Sequence, residues 1–288
     1  MSDTVRPRAT DDDRAGNGMA DDARLRPLSA FPAAERRHIR IVLTDIDDTL
    51  TLDGRLPALA YGAMERLRQA GLLVVPVTGR PAGWCDLIAR LWPVDGVVGE
   101  NGAFYFRHDP DRGMVRVFAK RESERRADRK RLEALAAAIL ERVPGARIAA
   151  DQLYRESDLA IDYAEDGPVL PKSAVDRIVA CFHEAGATAR VSSIHVNGWY
   201  GEYDKLTMTR RLLADIWNIA PPEDRRCTLF VGDSPNDEPM FGYFRHGVAV
   251  ANFAAFADQV RQQPRWLASR RGGEGFAEVA EALLEARA

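Results

Sequence analysis

The sequence has few cysteines, no long apolar segment and no strong excess of either charge. Only three cysteines occur among 288 residues, and no two of them form a CxxC pair. Such a sparse, odd set does not make a disulfide framework and is typical of a reducing compartment, so we expect a cytoplasmic protein. No apolar run approaches the roughly 20 residues that a membrane helix needs, and we expect no secretory signal. The formal net charge of −3 provides no basic field for nucleic acid.

The first 38 residues differ in composition from the rest of the chain. They are rich in Asp, Arg, Gly and Pro and poor in large apolar residues. Burying such a segment would not offset the conformational entropy that ordering it costs. We therefore expect residues 1–38 to be a disordered tail without a catalytic role, and a docking tail is the alternative that composition leaves open.

From residue 39 onward, short β-branched runs alternate with stretches of helical spacing. The strand-like runs are IRIVLTD, LLVVPVTGR and GVVGENGAFYF, and the helix-like stretches between them are ALAYGAMERLRQAG and PAGWCDLIARL. The same alternation resumes later with CTLFVGDSPND and GVAVAN. Strands that alternate with helices predict an α/β core around a parallel sheet, formed here by residues 39–118 and 199–288.

Residues 119–198 interrupt this alternation with a different pattern. The segment contains a long charged helix, RESERRADRKRLEALAAAILERV, and a second helix-like stretch, PKSAVDRIVACFHEAG, each followed by strand-like runs. This order predicts a small α+β domain inserted into the core. The charges of the long helix are explained most simply by a solvated face.

Polar residues follow three of the predicted core strands. Asp45 and Asp47 follow the first strand, Thr78 follows the second, and Asp233 and Asp237 follow TLFVG. In an open α/β sheet, ligands bind beyond the carboxyl ends of the strands, so we expect these side chains to meet there. Clustered carboxylates are stable mainly around a hard cation, and oxygen ligands beside a phosphate favour Mg²⁺. Taken singly, each motif is also explained by a turn or a helix cap.

Taken in order, the motifs resemble those of the haloacid dehalogenase-like phosphohydrolases. DIDDT at residues 45–49 resembles the family's DxDxT, VTGR places its Ser/Thr at Thr78, DKL places its lysine at Lys205, and GDSPND at residues 232–237 is the acidic element. The resemblance covers residues 39–288 and places the insert where the family has its C2 cap. VVGENGA is similar to subfamily IIB, which includes Cof-type and sugar-phosphate phosphatases. The resemblance implies a Rossmann-like parallel-sheet core with an inserted α+β cap of the C2 type.

The resemblance also implies a role for each motif residue. Asp45 would be the nucleophile that forms an aspartyl-phosphate, and Asp47 the acid that serves the leaving group and the base that later takes a proton from water. Thr78 and Lys205 would complete the catalytic set. The implied Mg²⁺ ligands are Asp45, Asp47 through its backbone carbonyl, Asp233 and Asp237, the last as a ligand or as the residue that orients the lysine.

The remaining candidates are polar residues that would contact the substrate. Gly79, Arg80 and Asn236 adjoin the motif residues and would contact the transferring phosphate. The candidates for contacts to the leaving group are Asn101, Arg155, Asp158, His195 and Asn197. Each of three candidates has a structural alternative. Asn101 could serve only the geometry of its turn, Arg155 could be a surface charge, and His195 could be a hydrogen-bonded histidine of a sheet.

The expected function is a Mg²⁺-dependent phosphatase that acts on a small phosphorylated metabolite, a sugar or polyol phosphate, through an aspartyl-phosphate. One alternative is a phosphomutase of the same fold, which returns the phosphoryl group to substrate instead of passing it to water. Another is a non-catalytic receiver module that is phosphorylated on Asp45. Receivers are shorter and lack both the large insert and the DxDxT form, which favours an enzyme.

Overall fold

A parallel sheet forms the centre of the computed structural model, which describes residues 25–288. The strands are β1 (Arg26–Pro27), β2 (Ile41–Thr44), β3 (Leu73–Pro76), β4 (Val97–Gly99), β5 (Phe104–Asp109), β6 (Gly113–Phe118), β7 (Arg147–Ile148), β8 (Leu159–Asp162), β9 (Thr188–Val191), β10 (His195–Trp199), β11 (Thr228–Gly232), β12 (His246–Ala249) and β13 (Trp266–Leu267). The helices are α1 (Ala33–Arg37), α2 (Ala58–Gln69), α3 (Ala82–Leu91), α4 (Glu122–Arg142), α5 (Lys172–Glu184), α6 (Lys205–Trp217), α7 (Glu223–Cys227), α8 (Glu238–Tyr243) and α9 (Gly272–Glu285). Among these helices, none is long and apolar enough to cross a membrane.

The central sheet has the order β1-β13-β12-β11-β2-β3, and every neighbouring pair is parallel. All four residues of β2 are buried, because helices cover both faces of the sheet. Val42 packs into the cluster on the side of α2 and α9, whereas Ile41 and Leu43 pack into the cluster on the side of α6 and α8. The predicted parallel α/β core is confirmed.

A three-stranded antiparallel sheet, β4-β5-β6, extends this core beyond β3. A parallel bridge between Val77 and Val98 joins the two sheets. Between β4 and β5 the chain makes a turn at residues 100–102, all three of which have positive φ. A side chain at Gly102 would lie 2.0 Å from the carbonyl oxygen of Asp204, so only glycine allows the turn to approach the start of α6 this closely.

The insert forms its own antiparallel sheet, β7-β8-β10-β9. Helices α4 and α5 cover one face of this sheet through a separate apolar cluster that includes Leu132, Ile139 and Phe182. An α+β cap within the core, as predicted from the alternation of elements, is therefore present in the fold. We call residues 122–199 the cap below.

The predicted tail boundary at residue 38 is wrong. Residues 25–38 are folded, with β1 pairing to β13 and α1 following it. Leu28 and Phe31 are buried, and the ring of Phe31 stacks on Trp266 at 4.9 Å between centroids and on His246 at 5.3 Å. Two buried apolar side chains hardly change the overall composition of the segment, so composition did not reveal them. They are nevertheless enough to attach the segment to the sheet. The remainder of the predicted tail, residues 1–24, lies outside the described residues.

Candidate active site

Polar residues follow three strands of the central sheet at the same edge, beyond the carboxyl ends of the strands. Asp45 directly follows β2, and Asp233 directly follows β11. Thr78 lies two residues beyond β3, where its carbonyl accepts the backbone N–H of Asn101 at 3.0 Å. The side chains of Asp45 and Asp233 converge because parallel neighbours end at the same edge of the sheet.

Lys205 is buried between two carboxylates at this edge. Its ammonium donates to Oδ1 of Asp45 at 2.9 Å and to Oδ1 of Asp237 at 2.8 Å. Burial by itself would lower the pKa of the lysine, but the attraction of the two carboxylates raises it above its ordinary value. The side chain of Asp204 caps α6 by accepting the N–H of Thr207 at 2.7 Å, which fixes the helix start that carries Lys205.

Three carboxylates form a compact acidic cluster around this lysine. One oxygen each from Asp45, Asp233 and Asp237 lies within 4.8 Å of the others. Burial, followed by the neighbouring carboxylates, raises the pKa of Asp233 well above its ordinary value. Burial also raises the pKa of Asp45 to about 7 against the attraction of Lys205. Like charges held this close are costly without a cation, and the all-oxygen donor set fits a hard divalent metal.

The two oxygens of Asp237 are already engaged by the protein. Oδ1 accepts from Lys205, and Oδ2 accepts from the backbone N–H of Asp233 at 3.1 Å. The carboxylate therefore orients the lysine and the loop after β11. Of the two roles that the motif allowed for Asp237, this geometry favours the orienting one.

Two further residues support the acidic cluster and were not identified from the sequence. Thr49 donates to Oδ1 of Asp233 at 3.0 Å. Asn252 donates to the carbonyl of Asp48 at 2.9 Å and to Oδ2 of Asp233 at 3.4 Å. Asn252 follows the strand run GVAVA, so its position beyond a core strand was a signal in the sequence. Asp48 has a φ of 58° and is a turn residue.

The carboxylate of Asp47 points away from the cluster and pairs with Arg80. Nε of Arg80 lies 3.0 Å from both oxygens of Asp47, and Nη2 lies 2.8 Å from Oδ1. The same guanidinium contacts two acids of the cap, Glu165 at 2.8 Å and Asp151 at 3.4 Å. Asp47 is thus not a metal ligand through its side chain, and the cap acids are contacts that the sequence did not reveal.

The cap closes over the carboxyl edge of the core and leaves a narrow cleft. The volume of this cleft is about 10 Å³, which is room for about one water-sized sphere. The lining residues are Asp45, Asp47, Gly79, Arg80, Ser192, Ser193, Ile194, His195, Asn197, Ser234 and Asn236. Gly79, Arg80, His195, Asn197 and Asn236, all predicted substrate contacts, therefore face the cleft.

His195 and Asn197 are held in place by acids of the cap. Nε2 of His195 lies 2.8 Å from Oε2 of Glu165, and Nδ2 of Asn197 donates to Asp158 at 3.0 Å. Partial burial would raise the pKa of Glu165, but hydrogen bonding to His195 and the attraction of Arg80 lower it to about 2. Glu165 therefore links the cap histidine to the core arginine beside the cleft.

Arg155 is neither a surface charge nor a residue of the cleft lining. Its side chain is buried and donates to Asp151 at 3.0 and 3.1 Å, to Asp158 at 3.0 Å and to the carbonyl of Gly79 at 2.9 Å. Asp158 accepts from Arg155 and Asn197, and Asn101 lies in the turn at a φ of 54°. Arg155 and Asp158 therefore join the cap to the core through Gly79 and Glu100, whereas Asn101 belongs to the core turn, and none of the three lines the cleft.

Glu100 forms a second connection between core and cap. Its buried carboxylate accepts the backbone N–H groups of Ala82 in the core and of Glu156, Ser157 and Asp158 in the cap, at 2.6–3.2 Å. Burial is the main cause that raises its pKa to about 8. The only sequence feature that pointed to this link between core and cap was the position of Glu100 in GENG, where an acid lies between two glycines.

Comparison with known proteins yields one curated relative and several solved structures. No protein-family model matches the chain. A phosphoglycolate phosphatase from Methanobrevibacter smithii is 24% identical over 256 residues, which are 86% of this chain and 99% of that protein. A HAD/COF-like hydrolase from Plasmodium vivax superposes with a TM-score of 0.64 at 17% identity, over 88% of this chain and 99% of its own. A HAD subclass IIB sugar phosphatase superposes with a TM-score of 0.57 at 16% identity, over 85% and 98%.

The chain has the haloacid dehalogenase (HAD) fold. The likeness extends over both the core and the cap, because each superposition covers more than four fifths of this chain. The resemblance inferred from the four motifs is confirmed at the level of the fold. In this HAD fold the four motifs meet at one edge of the sheet, beneath the cap.

Proposed function

We propose that the protein is a Mg²⁺-dependent phosphatase that hydrolyses a small phosphorylated metabolite through an aspartyl-phosphate on Asp45. The observation that supports it most is the buried arrangement of Asp45, which pairs with Lys205 and shares a cluster with Asp233. A carboxylate held by a lysine beside a metal-binding cluster suits attack on a phosphate dianion. The name of the curated relative and that of the sugar phosphatase point to the same reaction class.

Asp45 carries the covalent step. Lys205 holds Oδ1 of Asp45, and the second carboxylate oxygen forms the new bond to phosphorus while the bond to the leaving oxygen breaks. Asp47 donates a proton to that leaving oxygen. In the second step Asp47 accepts a proton from water as the water oxygen bonds to phosphorus, which releases inorganic phosphate and restores the carboxylate of Asp45.

The acidic cluster fits Mg²⁺, which neutralises charge on the phosphate when it is bound. Asp45 and Asp233 would hold the ion together with the backbone carbonyl of Asp47, and Asp237 would orient Lys205. This assignment gives each of the three carboxylates of the cluster a partner, since Asp237 already accepts two hydrogen bonds from the protein. Thr78 and the N–H groups around Gly79 would bind the phosphate oxygens.

The lining of the cleft is polar, which suits a polar leaving group. Arg80, His195, Asn197 and two serines of the cap line it, and a sugar or polyol phosphate offers hydroxyl groups to such a surface. A small phosphorylated acid such as phosphoglycolate is the second candidate substrate. The curated relative is named for that substrate.

The test is phosphate release by the full chain with Mg²⁺ across a panel of phosphorylated metabolites. We expect turnover of sugar, polyol or glycolate phosphates without a bisphosphate activator, since a phosphomutase would need one and would return the phosphoryl group. Asp45→Asn should retain less than about a tenth of wild-type kcat, because an amide cannot attack phosphorus. Asp48→Asn is the matched control, since Asn tolerates the left-handed turn at that position and should keep activity. Equal activity of the two variants would exclude Asp45 as the nucleophile.

A further inference from the structure

The opposite, amino-terminal edge of the central sheet carries a cluster of arginines. Arg26 is the first residue of β1, Arg265 and Arg245 directly precede β13 and β12, and Arg226 lies two residues before β11. Because these four strands are parallel neighbours, their starts lie side by side. The arrangement is not visible in the sequence, where the arginines are spread over some two hundred positions.

These arginines surround a cleft of about 700 Å³. The arginines that line it are Arg26, Arg225, Arg226, Arg245, Arg261 and Arg265. Among its lining residues in the described part of the chain there is no aspartate or glutamate. We call this region the arginine cleft. A volume of this size is in the range of small-molecule sites.

Ordinary structural roles explain only some of these charges. Nε of Arg225 donates to the carbonyl of Tyr243 at the end of α8, where a cation stabilises the helix terminus. Glu35 lies behind the cleft, 3.7 Å from Arg245 and 3.6 Å from Arg265, so one carboxylate faces two guanidinium groups. These contacts account for Arg225, Arg245 and Arg265, and Arg26 also has a partner.

Arg226 and Arg261 are the two arginines with no structural role of this kind. Both are exposed, and within residues 25–288 neither guanidinium forms an ion pair with a carboxylate, although Oε1 of Glu238 accepts the backbone N–H of Arg261 at 3.0 Å. A guanidinium presents a planar fork of donors that matches phosphate oxygens. Two such forks at one concave site favour a ligand with more than one phosphate group over a single phosphate.

We propose that the arginine cleft is a second ligand site, which binds a small molecule carrying a chain of phosphate groups. The ring of Tyr243 already lies 4.9 Å from the guanidinium of Arg210 and 5.0 Å from that of Arg225, so it offers little surface for a nucleobase. Recognition therefore rests on the phosphates. The site is separate from the acidic cluster, because β11 spans the distance between the two edges, roughly 16 Å for five residues.

The test is calorimetric titration of the full chain with inorganic tripolyphosphate, at constant ionic strength and with a chelator so that no divalent ion contributes. The variant is the double substitution Arg226→Gln/Arg261→Gln. The matched control is Arg112→Gln/Lys130→Gln, which removes the same charge from two exposed cations outside the cleft. We expect the variant to bind tripolyphosphate at least about tenfold more weakly, and the control to stay within about twofold of wild type.

Two further arms identify the ligand chemistry. Inorganic phosphate should bind at least about tenfold more weakly than tripolyphosphate, because it engages fewer guanidinium forks. ATP should bind within about threefold of tripolyphosphate if the phosphates alone are recognised, and much tighter binding of ATP would overturn that assignment. Phosphate release from an aryl phosphate should be unchanged in both double variants, which separates this site from the proposed catalytic one. Equal tripolyphosphate affinity in all three proteins, or no binding at about 1 mM, would refute the proposal.

Discussion

The guanidinium of Arg80 and the carboxylate of Asp47 form a bidentate ion pair beneath the cap. Nε of Arg80 lies 3.0 Å from both carboxylate oxygens, and Nη2 lies 2.8 Å from one of them. The remaining donors of Arg80 reach Glu165 and Asp151 in the cap. One core arginine thus connects the proposed acid–base residue to the element that covers it.

Replacing Arg80 with lysine should lower kcat/KM by more than about tenfold. An ammonium is a point charge that cannot hold one carboxylate in a fork and reach two others as well. The measurement is kcat/KM as a function of pH, because a displaced Asp47 should change the shape of the profile as well as its height. Arg90→Lys, on the exposed side of α3 and paired with Asp86, is the control. A rate within about twofold of wild type with an unaltered profile would contradict the positioning role.

Activity should depend on Mg²⁺, with Ca²⁺ a poor substitute. Ca²⁺ takes more oxygen ligands at longer distances, which would displace the nucleophile from the phosphate. Asp233→Asn should raise the Mg²⁺ concentration needed for half-maximal rate by at least about tenfold, whereas Asp48→Asn should not change it. Full activity after exhaustive chelation would refute the metal assignment.

Phe31→Ala should destabilise the protein by about 3 to 5 kcal/mol, as truncation of a buried aromatic residue does. The ring is only 1% exposed and stacks between Trp266 and His246, although it lies in the segment that composition predicts to be a tail. Urea unfolding measures the free energy. Leu153→Ala, at a leucine that is 94% exposed, should change it by less than about 0.5 kcal/mol. A similar small change at Phe31 would show that residues 25–38 do not anchor to the sheet.

His246 should make the fold less stable in mild acid. Burial, together with Arg245 and Arg265 and against the attraction of Glu35, lowers its pKa from 6.5 to about 4. The unfolded chain therefore binds a proton between pH 6.5 and 4 that the folded chain does not. The contribution of neutral His246 to the free energy of unfolding is fully present above pH 6.5 and decreases as the pH falls towards 4. The decrease is about 1 to 2 kcal/mol at pH 5. His246→Gln should remove this part of the pH dependence in urea unfolding at pH 7.5 and pH 5. Parallel losses in wild type and variant would contradict it.

The cap should determine which leaving group is accepted. His195→Ala should lower kcat/KM for the natural substrate and leave turnover of a small aryl phosphate almost unchanged, because His195 lines the cleft. Arg155→Ala should lower turnover of both substrates and the thermal midpoint, since Arg155 is buried and joins the cap to Gly79. The ratio of the two rates distinguishes these roles. Equal losses for both substrates in His195→Ala would place that residue in the chemistry or the fold.

The catalytic edge of the sheet was largely predictable from the sequence. Each motif directly follows a short buried strand or begins a helix, and parallel strands must end together. Asp45, Lys205 and Asp233 therefore lie together at this edge. The β5–β6 hairpin was not predicted because the start of β5 was read as one strand with β4 in GVVGENGAFYF, and the folded segment at residues 25–38 was not predicted because few large apolar residues mark it.

Local pattern alone thus determined the α/β core, the inserted cap and the acidic cluster, since strand period, helix spacing and motif order are properties of neighbouring residues. Only the tertiary structure decided which partners the polar residues take. Arg155 is a buried link between cap and core, and Glu100 accepts hydrogen bonds from backbone N–H groups of the cap. The sequence did not reveal these roles because the partners come from distant parts of the chain. The arginine cleft exists for the same reason: β1, β11, β12 and β13 are separated in sequence, and only the sheet brings their first residues together.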